Sequence, residues 1–192
     1  MAYFWNFAYR RKMGAVGADV SLGRGLRIDG PQFIFLGNRI RIDDYCRFAL
    51  PALNFKAGAT TLALSPKLEI GSDTYVGSFT VFNCMNAISI GKKVAIADHC
   101  YIGDYFHGFE STDLPPIDQY LVSRGPVRIG DGAWLGSKVS VMPGVTIGRH
   151  CIIGANSVVT HDIPDYHVAV GAPARAIRRV DHPNPAEGNH AV

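Results

Sequence analysis

The sequence contains no uninterrupted apolar stretch that approaches the roughly 18 to 20 residues of a membrane-spanning helix, so no transmembrane segment is predicted. The opening residues, MAYFWNFAYRRKM, place their charges after the aromatics and are followed by no small-residue cleavage site, which argues against a signal peptide. We predict that residues 1–15 form an aromatic and basic cap on a cytoplasmic protein. Peripheral contact of residues 1–13 with a membrane surface is the alternative.

The sequence contains few cysteines and has a small net charge. The four cysteines form no CxxC pair and no spacing typical of a disulfide framework, which predicts buried thiols in a reducing compartment. The formal net charge is only +3 and no arginine-rich aromatic platform is present, so we predict no nucleic-acid partner. With 47% hydrophobic and 18% charged residues, the 192-residue chain has the balance of one globular domain or one repeat array.

What the sequence does contain is a six-residue repeat of aliphatic side chains. Its longest uninterrupted run is Ile129, Leu135, Val141, Ile147, Ile153 and Val159. A helix would repeat near 3.6 residues and a flat strand at 2, so this period is typical of short strands that turn a corner at fixed intervals. The fifth residue of each hexapeptide is mostly small or β-branched, as at Val94, Cys100 and Val139, which gives a second inward position. The pattern predicts an all-β coil in which each turn covers the apolar surface of the next.

Three segments interrupt or end the repeat. Residues 50–68 are poor in glycine-led hexapeptides and are predicted to bulge or to leave the coil. Residues 108–126 contain two adjacent prolines and several acids, and an inserted loop of this length is more often functional than not. Residues 180–192 are polar and contain prolines, which predicts a flexible tail. The coil itself is assigned to residues 16–179.

Two stretches of the sequence resemble a known family. Residues 127–178, VRIGDGAWLGSKVSVMPGVTIGRHCIIGANSVVTHDIPDYHVAVGAPARAIR, and residues 88–109, ISIGKKVAIADHCYIGDYFHGF, resemble the hexapeptide-repeat acyltransferases. Within this family the chain is most similar to sugar O-acetyltransferases, both the galactoside and maltose acetyltransferases and those of polysaccharide gene clusters. The resemblance implies a left-handed parallel β-helix of triangular section with three hexapeptides per turn. It also implies acetyl-CoA as the acyl donor and a homotrimer with active sites between subunits.

Acyl transfer from a thioester to an alcohol needs a base for the hydroxyl proton, and the resemblance implies that His107 is this base. An imidazole can accept a proton near neutral pH, and a positioned base typically contributes about 10² to 10⁴ in rate. The plainer reading of His107 is a histidine at a surface corner. His99, the fourth residue of its hexapeptide, faces either the same groove or solvent.

The family motif also implies a set of residues that bind the coenzyme. Matched position by position, these are Trp134 and Ser137 at the inner arm, Ala155 and Thr160 at the outer arm, and Arg175 and Arg178 at the nucleotide end. Each also has a purely structural explanation. Trp134 is then a packing aromatic, Ala155 and Thr160 are ordinary residues of the repeat, and the arginines are solvent-exposed charges. His161 is included in the coenzyme site, although the family usually has lysine there and a largely neutral imidazole brings less charge to a phosphate.

Acceptor recognition is predicted from polar residues near the coil that carries His107. The candidates are Asn83, Asn86, Asp98 and Asp104. Their side chains suit hydrogen bonds to sugar hydroxyls, although asparagine and aspartate also favour turns for backbone reasons alone. Glu110 is a further candidate for orienting His107, and the loop residues Asp118 and Tyr120 are predicted to shape the acceptor pocket across a subunit boundary.

The sequence therefore predicts an acetyl-CoA-dependent O-acetyltransferase of a sugar or polysaccharide precursor. N-acetylation of an amino sugar, as a nucleotide-linked acceptor, is the nearest alternative, and the residues do not separate the two. A metal enzyme on the same coil would need three converging histidines, whereas His99 and His107 have no third at a matching turn, so no metal is predicted. A non-catalytic scaffold would need neither His107 nor the series from Trp134 to Arg178.

Overall fold

The computed structural model describes residues 9–51, 54–57, 60–63 and 66–180 of the chain. Residues 1–8 of the predicted cap and residues 181–192 of the predicted tail lie outside the described residues. Helical segments are few and short: residues 9–12 and two 3₁₀ helices at Pro31–Phe33 and Pro116–Asp118. Within the described ranges, no helix has the length and apolar character needed to cross a membrane.

Short parallel strands make up most of the described chain and form three sheets, which we name A, B and C. Sheet A contains Ala15–Val16, Ile34–Leu36, Lys67–Ile70, Ala87–Ile90, Val127–Ile129 and Thr146–Ile147. Sheet B contains Ser21–Leu22, Arg41–Ile42, Tyr75–Val76, Ala95–Ile96, Trp134–Leu135, Ile152–Ile153, His167–Gly171 and, antiparallel to the last, Ala174–Arg179. Sheet C contains Arg27–Asp29, Arg47–Ala49, Val81–Asn83, Tyr101–Gly103, Ser140–Val141 and Val158–Val159. In chain order the strands run from A to B to C and back to A, so three strands make one turn of a coil.

The repeat of aliphatic residues sets the register of this coil. Ile96 pairs with Leu135 and Leu135 pairs with Ile153, so residues at one hexapeptide position stack in a column. Both inward positions predicted from the sequence are buried, the first as at Ile96 and the fifth as at Val94. Burying one such side chain contributes about 1.5–3 kcal/mol, and the columns join into one continuous core. The predicted parallel β-helix of hexapeptide repeats is confirmed.

The four cysteines are free and buried. Three of them, Cys46, Cys100 and Cys151, occupy the inward fifth position, and Cys84, which the repeat did not place, is buried as well. Burial raises the pKa of Cys46 and of Cys100 to about 11. These thiols therefore stay protonated near neutral pH and act as small apolar side chains of the core.

The corner between sheets A and B is closed by residues in the left-handed conformation, and their side chains form a charged column. The φ angles are +56° at Asp19, +52° at Arg39, +64° at Asp73 and +56° at Lys93. The charges alternate in sign from turn to turn, and Arg39 Nε lies 2.6 Å from Asp73 Oδ1. A left-handed conformation costs an L-residue roughly 1–2 kcal/mol, and the contacts between turns offset part of that cost.

The corner between sheets B and C, which we name the B–C corner, carries an aromatic column at the equivalent positions. Tyr45, Phe79 and His99 have φ angles of +59°, +60° and +61°. The Tyr45 and Phe79 rings stack with centroids 5.3 Å apart, and the Phe79 and His99 rings stack at 4.8 Å with 4° between their planes. Tyr45 and Phe79 remain half exposed, so this column lies along the outside of the coil.

The turns differ in length at one place only, the corner between sheet C and the next strand of sheet A, which we name the C–A corner. Leu135 pairs with Ile153, 18 residues later, whereas Leu22 pairs with Ile42, 20 residues later. The two extra residues lie at the C–A corner, because the interval from sheet A to B and from B to C is constant along the coil. The 18-residue turn consists of three hexapeptides with no extra residue.

Both excursions from the coil leave at the C–A corner. One follows Arg47–Ala49 and is an antiparallel hairpin of Asn54–Ala57 with Thr60–Ala63. The other follows Tyr101–Gly103 and is closed at its base by the antiparallel pair Phe106–His107 and Leu121–Val122. The interruption predicted at residues 50–68 thus contains a hairpin, but its last residues, Lys67 and Leu68, belong to sheet A. Part of the predicted loop 108–126 is a strand that pairs with His107.

Candidate active site

His107 lies at the C–A corner, at the base of the second excursion. It pairs with Leu121 in the antiparallel ladder, and the neighbouring Gly108 N–H donates to the Tyr120 carbonyl at 2.7 Å. The His107 side chain is exposed. The main chain around His107 is therefore held by hydrogen bonds, while the imidazole is open to a ligand.

The loop beyond His107 is held in shape by one buried side chain that the sequence reading missed, Gln119. Its Oε1 accepts the Ser111 N–H at 3.1 Å, and its Nε2 donates to the carbonyls of Ser111 at 3.0 Å and Leu114 at 2.7 Å. Nothing in the local pattern of the loop distinguishes this glutamine from an exposed one. Its three hydrogen bonds close the loop across eight residues, which a mobile loop would not do.

A cavity of about 370 Å³ opens inside this loop, and His107 is not among the residues that line it. Gly108, the residue after His107, lines it together with Glu110, Asp118 and Tyr120. Its volume lies in the range of small-molecule pockets. The three loop residues proposed from the sequence for the acceptor side are therefore brought to one cavity in the loop that follows the candidate base.

Asn83 lies on the outer face of sheet C, one turn of the coil from the strand that leads to His107. It pairs with Gly103, and its Nδ2 donates to the Tyr101 hydroxyl at 3.4 Å. The Tyr101 ring lies over Gly103, where an added Cβ would be 2.5 Å from the tyrosine oxygen. Glycine leaves room for the Tyr101 ring in this position. Tyr101 is therefore a neighbour of Asn83 that residue type alone did not indicate.

Asp104 is fully buried, at 0% exposure, and its carboxylate is occupied by the backbone. Oδ1 accepts the Met85 N–H and Oδ2 the Asn86 N–H, each at 2.8 Å. Burial raises the pKa of this carboxyl, and the amide hydrogen bonds oppose that rise. The sequence placed Asp104 among acceptor contacts, but with both oxygens bonded inside the corner it instead fixes the turn that carries Asn86, whose side chain is exposed.

Three predicted coenzyme residues lie on the other side of sheet C, at or beside the B–C corner: Trp134 and Ser137 of the inner arm and Ala155 of the outer arm. Ser137 and Ala155 occupy equivalent corner positions on successive turns, joined by the Asn156 N–H to Ser137 carbonyl hydrogen bond at 2.9 Å. Trp134 precedes them on sheet B and is 52% exposed. A half-exposed indole beside two open corners suits the binding of an extended ligand.

Asp98 and His99 belong to the B–C corner as well. The Asp98 Oδ1 accepts the Ser78 N–H at 2.8 Å, and His99 stacks on Phe79 as described above. His99 therefore does not share an edge of the coil with His107 within one chain. Both residues have a structural explanation in the corner itself.

The remaining coenzyme candidates gather near the last turn. Thr160 Oγ1 lies 2.8 Å from His161 Nδ1, and His161 and Arg175 line a cleft of about 270 Å³. Arg178 is exposed on the antiparallel strand of sheet B. The cleft is open and also lined by the carboxylate of Asp162, so a phosphate-bearing group is suited only to its Arg175 side.

The predicted site residues thus fall on two edges of sheet C. His107 and Asn83 lie at the C–A corner, whereas Trp134, Ser137 and Ala155 lie at or beside the B–C corner. Crossing the sheet between these corners takes about five residues, roughly 17 Å at 3.3 Å per residue. A single chain therefore does not bring the candidate base and the inner-arm residues into one site.

Metal ligation finds no support in the part of the chain that is described. No three side chains of histidine, cysteine, aspartate or glutamate converge there as a metal site would require. In particular, His99 and His107 are separated by sheet C.

Comparison with known proteins gives the family. Residues 126–161 match the model of the bacterial transferase hexapeptide family (six repeats). The putative lipopolysaccharide biosynthesis O-acetyl transferase WbbJ of Escherichia coli is 32% identical over 180 residues, which cover 91% of this chain and 76% of WbbJ. A probable acetyltransferase of Mycobacterium tuberculosis is 44% identical over 119 residues, which cover 62% of this chain but only 39% of that protein.

Among solved structures, the fold is similar to that of AntD, an N-acyltransferase from Bacillus cereus, in complex with dTDP and 3-hydroxybutyryl-CoA. The TM-score is 0.74, with 22% identity, and the alignment covers 92% of this chain and 88% of AntD. At this identity the similarity establishes the fold.

Proposed function

The chain belongs to the hexapeptide-repeat acyltransferases, and from this premise we propose that it is an acetyl-CoA-dependent O-acetyltransferase of a saccharide hydroxyl in polysaccharide biosynthesis. The observation that carries the proposal is His107, an exposed imidazole on a hydrogen-bonded backbone at the base of a loop that encloses a cavity of about 370 Å³. WbbJ, with its similarity over most of both chains, is described as an O-acetyl transferase of lipopolysaccharide biosynthesis. A cytoplasmic location follows from a donor, acetyl-CoA, that is made inside the cell.

In the proposed reaction, bound acetyl-CoA supplies the acetyl group as a thioester. His107 accepts the proton of the acceptor hydroxyl, through the ring nitrogen that carries no proton, as that oxygen bonds to the acetyl carbon. His107 then returns the proton to the sulfur released when the carbon–sulfur bond breaks. Asn83 and the loop cavity hold the acceptor so that one hydroxyl faces the imidazole, which is the positioning term in the rate.

The residues present are suited to the coenzyme. Trp134 offers a half-exposed aromatic surface to the pantetheine arm, and the open corner at Ala155 leaves room for it. Arg175, at the cleft it shares with His161, and the exposed Arg178 supply positive charge for the phosphates. The lysine usual in the family is absent at His161, so we assign most of the phosphate attraction to the arginines.

We propose that the complete site forms between subunits of a homotrimer. His107 and the inner-arm residues lie on opposite edges of sheet C, so the C–A corner of one copy must meet the B–C corner of another. A cyclic trimer of a coil with three faces allows this pairing three times by one kind of contact. The half-exposed aromatic column at the B–C corner would then be covered by the neighbouring copy.

The proposal is tested by titrating the purified protein with acetyl-CoA and with coenzyme A in metal-free buffer, followed by transfer assays. Saturable binding near one site per chain, with acetyl transfer to neutral saccharides, is the expected result. A panel that pairs each sugar with its amino analogue then decides between hydroxyl and amine acceptors. Absence of binding at millimolar acetyl-CoA would overturn the proposal.

A further inference from the structure

The outer face of sheet C carries two arginines at directly opposed positions of neighbouring strands. Arg27 and Arg47 pair directly in the parallel ladder, and both side chains are exposed. Neighbouring turns of such a coil are about 4.8 Å apart. Two like charges at directly opposed positions of adjacent strands destabilise a sheet, so the pair needs an explanation.

Four other arginines of the coil are neutralised by acidic partners. Ion pairs join Arg24 to Asp44, Arg39 to Asp73, Arg41 to Asp43 and Arg149 to Asp165, with distances of 2.6 to 2.9 Å. In the described ranges 9–51 and 66–180, neither the Arg27 nor the Arg47 guanidinium has such an ion pair. Asp29 shares the outer face of the strand with Arg27 and supplies one negative charge for two positive ones. A net positive charge therefore remains on this face.

This charge lies on the same strip of surface as the acceptor side of the proposed site. Along sheet C, Arg27 pairs with Arg47, Arg47 with Val81, and Val81 with Tyr101, so the arginines lie in the same column as Tyr101. The Tyr101 hydroxyl contacts Asn83, as described above. Arg47 is two turns of the coil, or about 10 Å, from the turn of Tyr101.

An electrostatic effect on Tyr105 is consistent with the arginines facing the His107 excursion. Tyr105, two residues before His107, is half-buried, and the charge of Arg47 lowers its pKa against a larger rise caused by burial. The strip therefore runs from Arg27 and Arg47, past Tyr105 and Tyr101, to the corner from which His107 projects. It offers cations at one end and hydroxyl and amide groups at the other.

From this arrangement we propose that the acceptor is a sugar that carries a phosphate or diphosphate, which Arg27 and Arg47 bind while the sugar lies at Asn83 and His107. The inference rests on the proposed function for the sugar end. Guanidinium groups bind phosphate oxygens through paired N–H donors, and two adjacent guanidiniums match a diphosphate better than a single charge. The same chemistry occurs in nucleotide-linked and in isoprenoid-linked sugars.

The test measures binding of inorganic pyrophosphate to the full chain by isothermal titration. The variants are Arg27→Gln and Arg47→Gln, and the matched control is Arg41→Gln, which removes an exposed arginine of the same turn that is paired with Asp43 on sheet B. We expect saturable binding to the wild type, a loss of about tenfold or more in affinity for each of the first two variants, and no change for the control. Uridine diphosphate and farnesyl diphosphate, titrated in parallel, distinguish a nucleotide from an isoprenoid carrier by which binds more tightly.

Acetyl-CoA titration of the same samples separates the two proposals. If acetyl-CoA binds and pyrophosphate does not, or if pyrophosphate binds equally to all four proteins, the inference is wrong and the proposed function stands. If glucuronic acid shows the dependence on Arg27 and Arg47 that pyrophosphate lacks, the anion is a carboxylate and the phosphate class is overturned. If acetyl-CoA fails to bind, the proposed function fails, and the pyrophosphate results still decide the anion site.

Discussion

Asp104 accepts the backbone N–H of Met85 at 2.8 Å, so a fully buried carboxylate of one turn holds the corner of the turn before it. The adjacent N–H of Asn86 bonds to the other oxygen at the same distance. Successive backbone N–H groups that converge on one anion form a nest. Here the anion is part of the protein, and the nest belongs to the turn that presents the acceptor-side asparagines.

Asp104→Ala is expected to lower the free energy of unfolding by about 3 kcal/mol. The reason is that at least two partly buried N–H groups lose their acceptor, at about 1–3 kcal/mol each. Urea denaturation measures the change. The matched control is Asp98→Ala, because Asp98 also accepts a backbone N–H from the previous turn, but only one and in an exposed corner. Equal losses in the two variants would contradict the role assigned to Asp104.

His107→Ala is expected to lower turnover by about 10² or more while the affinity for acetyl-CoA stays unchanged, because a general base acts on the chemical step. Steady-state kinetics and coenzyme titration measure the two quantities. His150→Asn serves as the control, since His150 is exposed at the corner between sheets A and B, away from both edges of sheet C. Joint loss of turnover and coenzyme binding would indicate that His107 is structural.

Mixed assembly tests the site between subunits. His107→Ala removes the base at the C–A corner, and Ala155→Trp fills the open position at the B–C corner, so each variant alone is expected to be inactive. Co-expression is expected to restore activity, because some sites then combine two intact edges. Mixing His107→Ala with Asn83→Ala is the control. Both changes lie at the C–A corner, so no site in such a mixture has an intact C–A corner. Equal recovery in both mixtures would contradict a composite site.

The charged column predicts acid sensitivity. The hydrogen bond and charge of Arg39 lower the pKa of Asp73, so Asp73 is more acidic in the folded than in the unfolded chain. The contribution of ionised Asp73 to the free energy of unfolding is fully present above its unfolded pKa of about 3.9. That contribution is lost as pH falls through the lower pKa of the folded state. We expect the difference in melting temperature between wild type and Asp73→Asn to be present at pH 6 and to vanish as pH falls below about 4. Asp113→Asn, in the exposed loop, is the control for general effects of pH on the melting temperature.

The aromatic column predicts a conformational cost at Phe79. With a φ of +60°, a β-branched residue is disfavoured, whereas asparagine tolerates this region. Phe79→Val is therefore expected to be less stable than Phe79→Asn by about 1–2 kcal/mol, although both lose the same ring contacts. The difference in unfolding free energy between the two variants, measured by urea denaturation, gives the cost of the left-handed backbone conformation at position 79. Equal stability would show that the left-handed position carries no cost here.

The six-residue period was sufficient to predict the coil and both inward positions, because each strand must bury the same two side chains. It was less informative at Asp104, whose acceptor-side assignment rested on residue type. A signal was available: Asp104 stands where the preceding turns place the buried Leu50 and Cys84. A polar residue in a buried column of the coil is more consistent with a bond to its own backbone than with ligand binding.

Residue spacing along the sequence does not show on which edge of sheet C a residue lies. His99 and His107 are eight residues apart in a family-like motif, yet they face different corners because the chain crosses sheet C between them. Gln119 could not be selected, since its burial depends on a fold of the loop that has no repeat. Contacts between turns and between copies depend on the whole register, which a local motif does not contain.

The C–A corner has a consequence for how such proteins diversify. Every change in turn length and both excursions occur there, while the strand pairings on either side keep their register. Segments can therefore be inserted, exchanged or deleted at this one vertex during evolution without reshaping the scaffold. Because His107 projects from the same vertex, acceptor preference can change by loop grafting while the donor half of the enzyme is inherited intact.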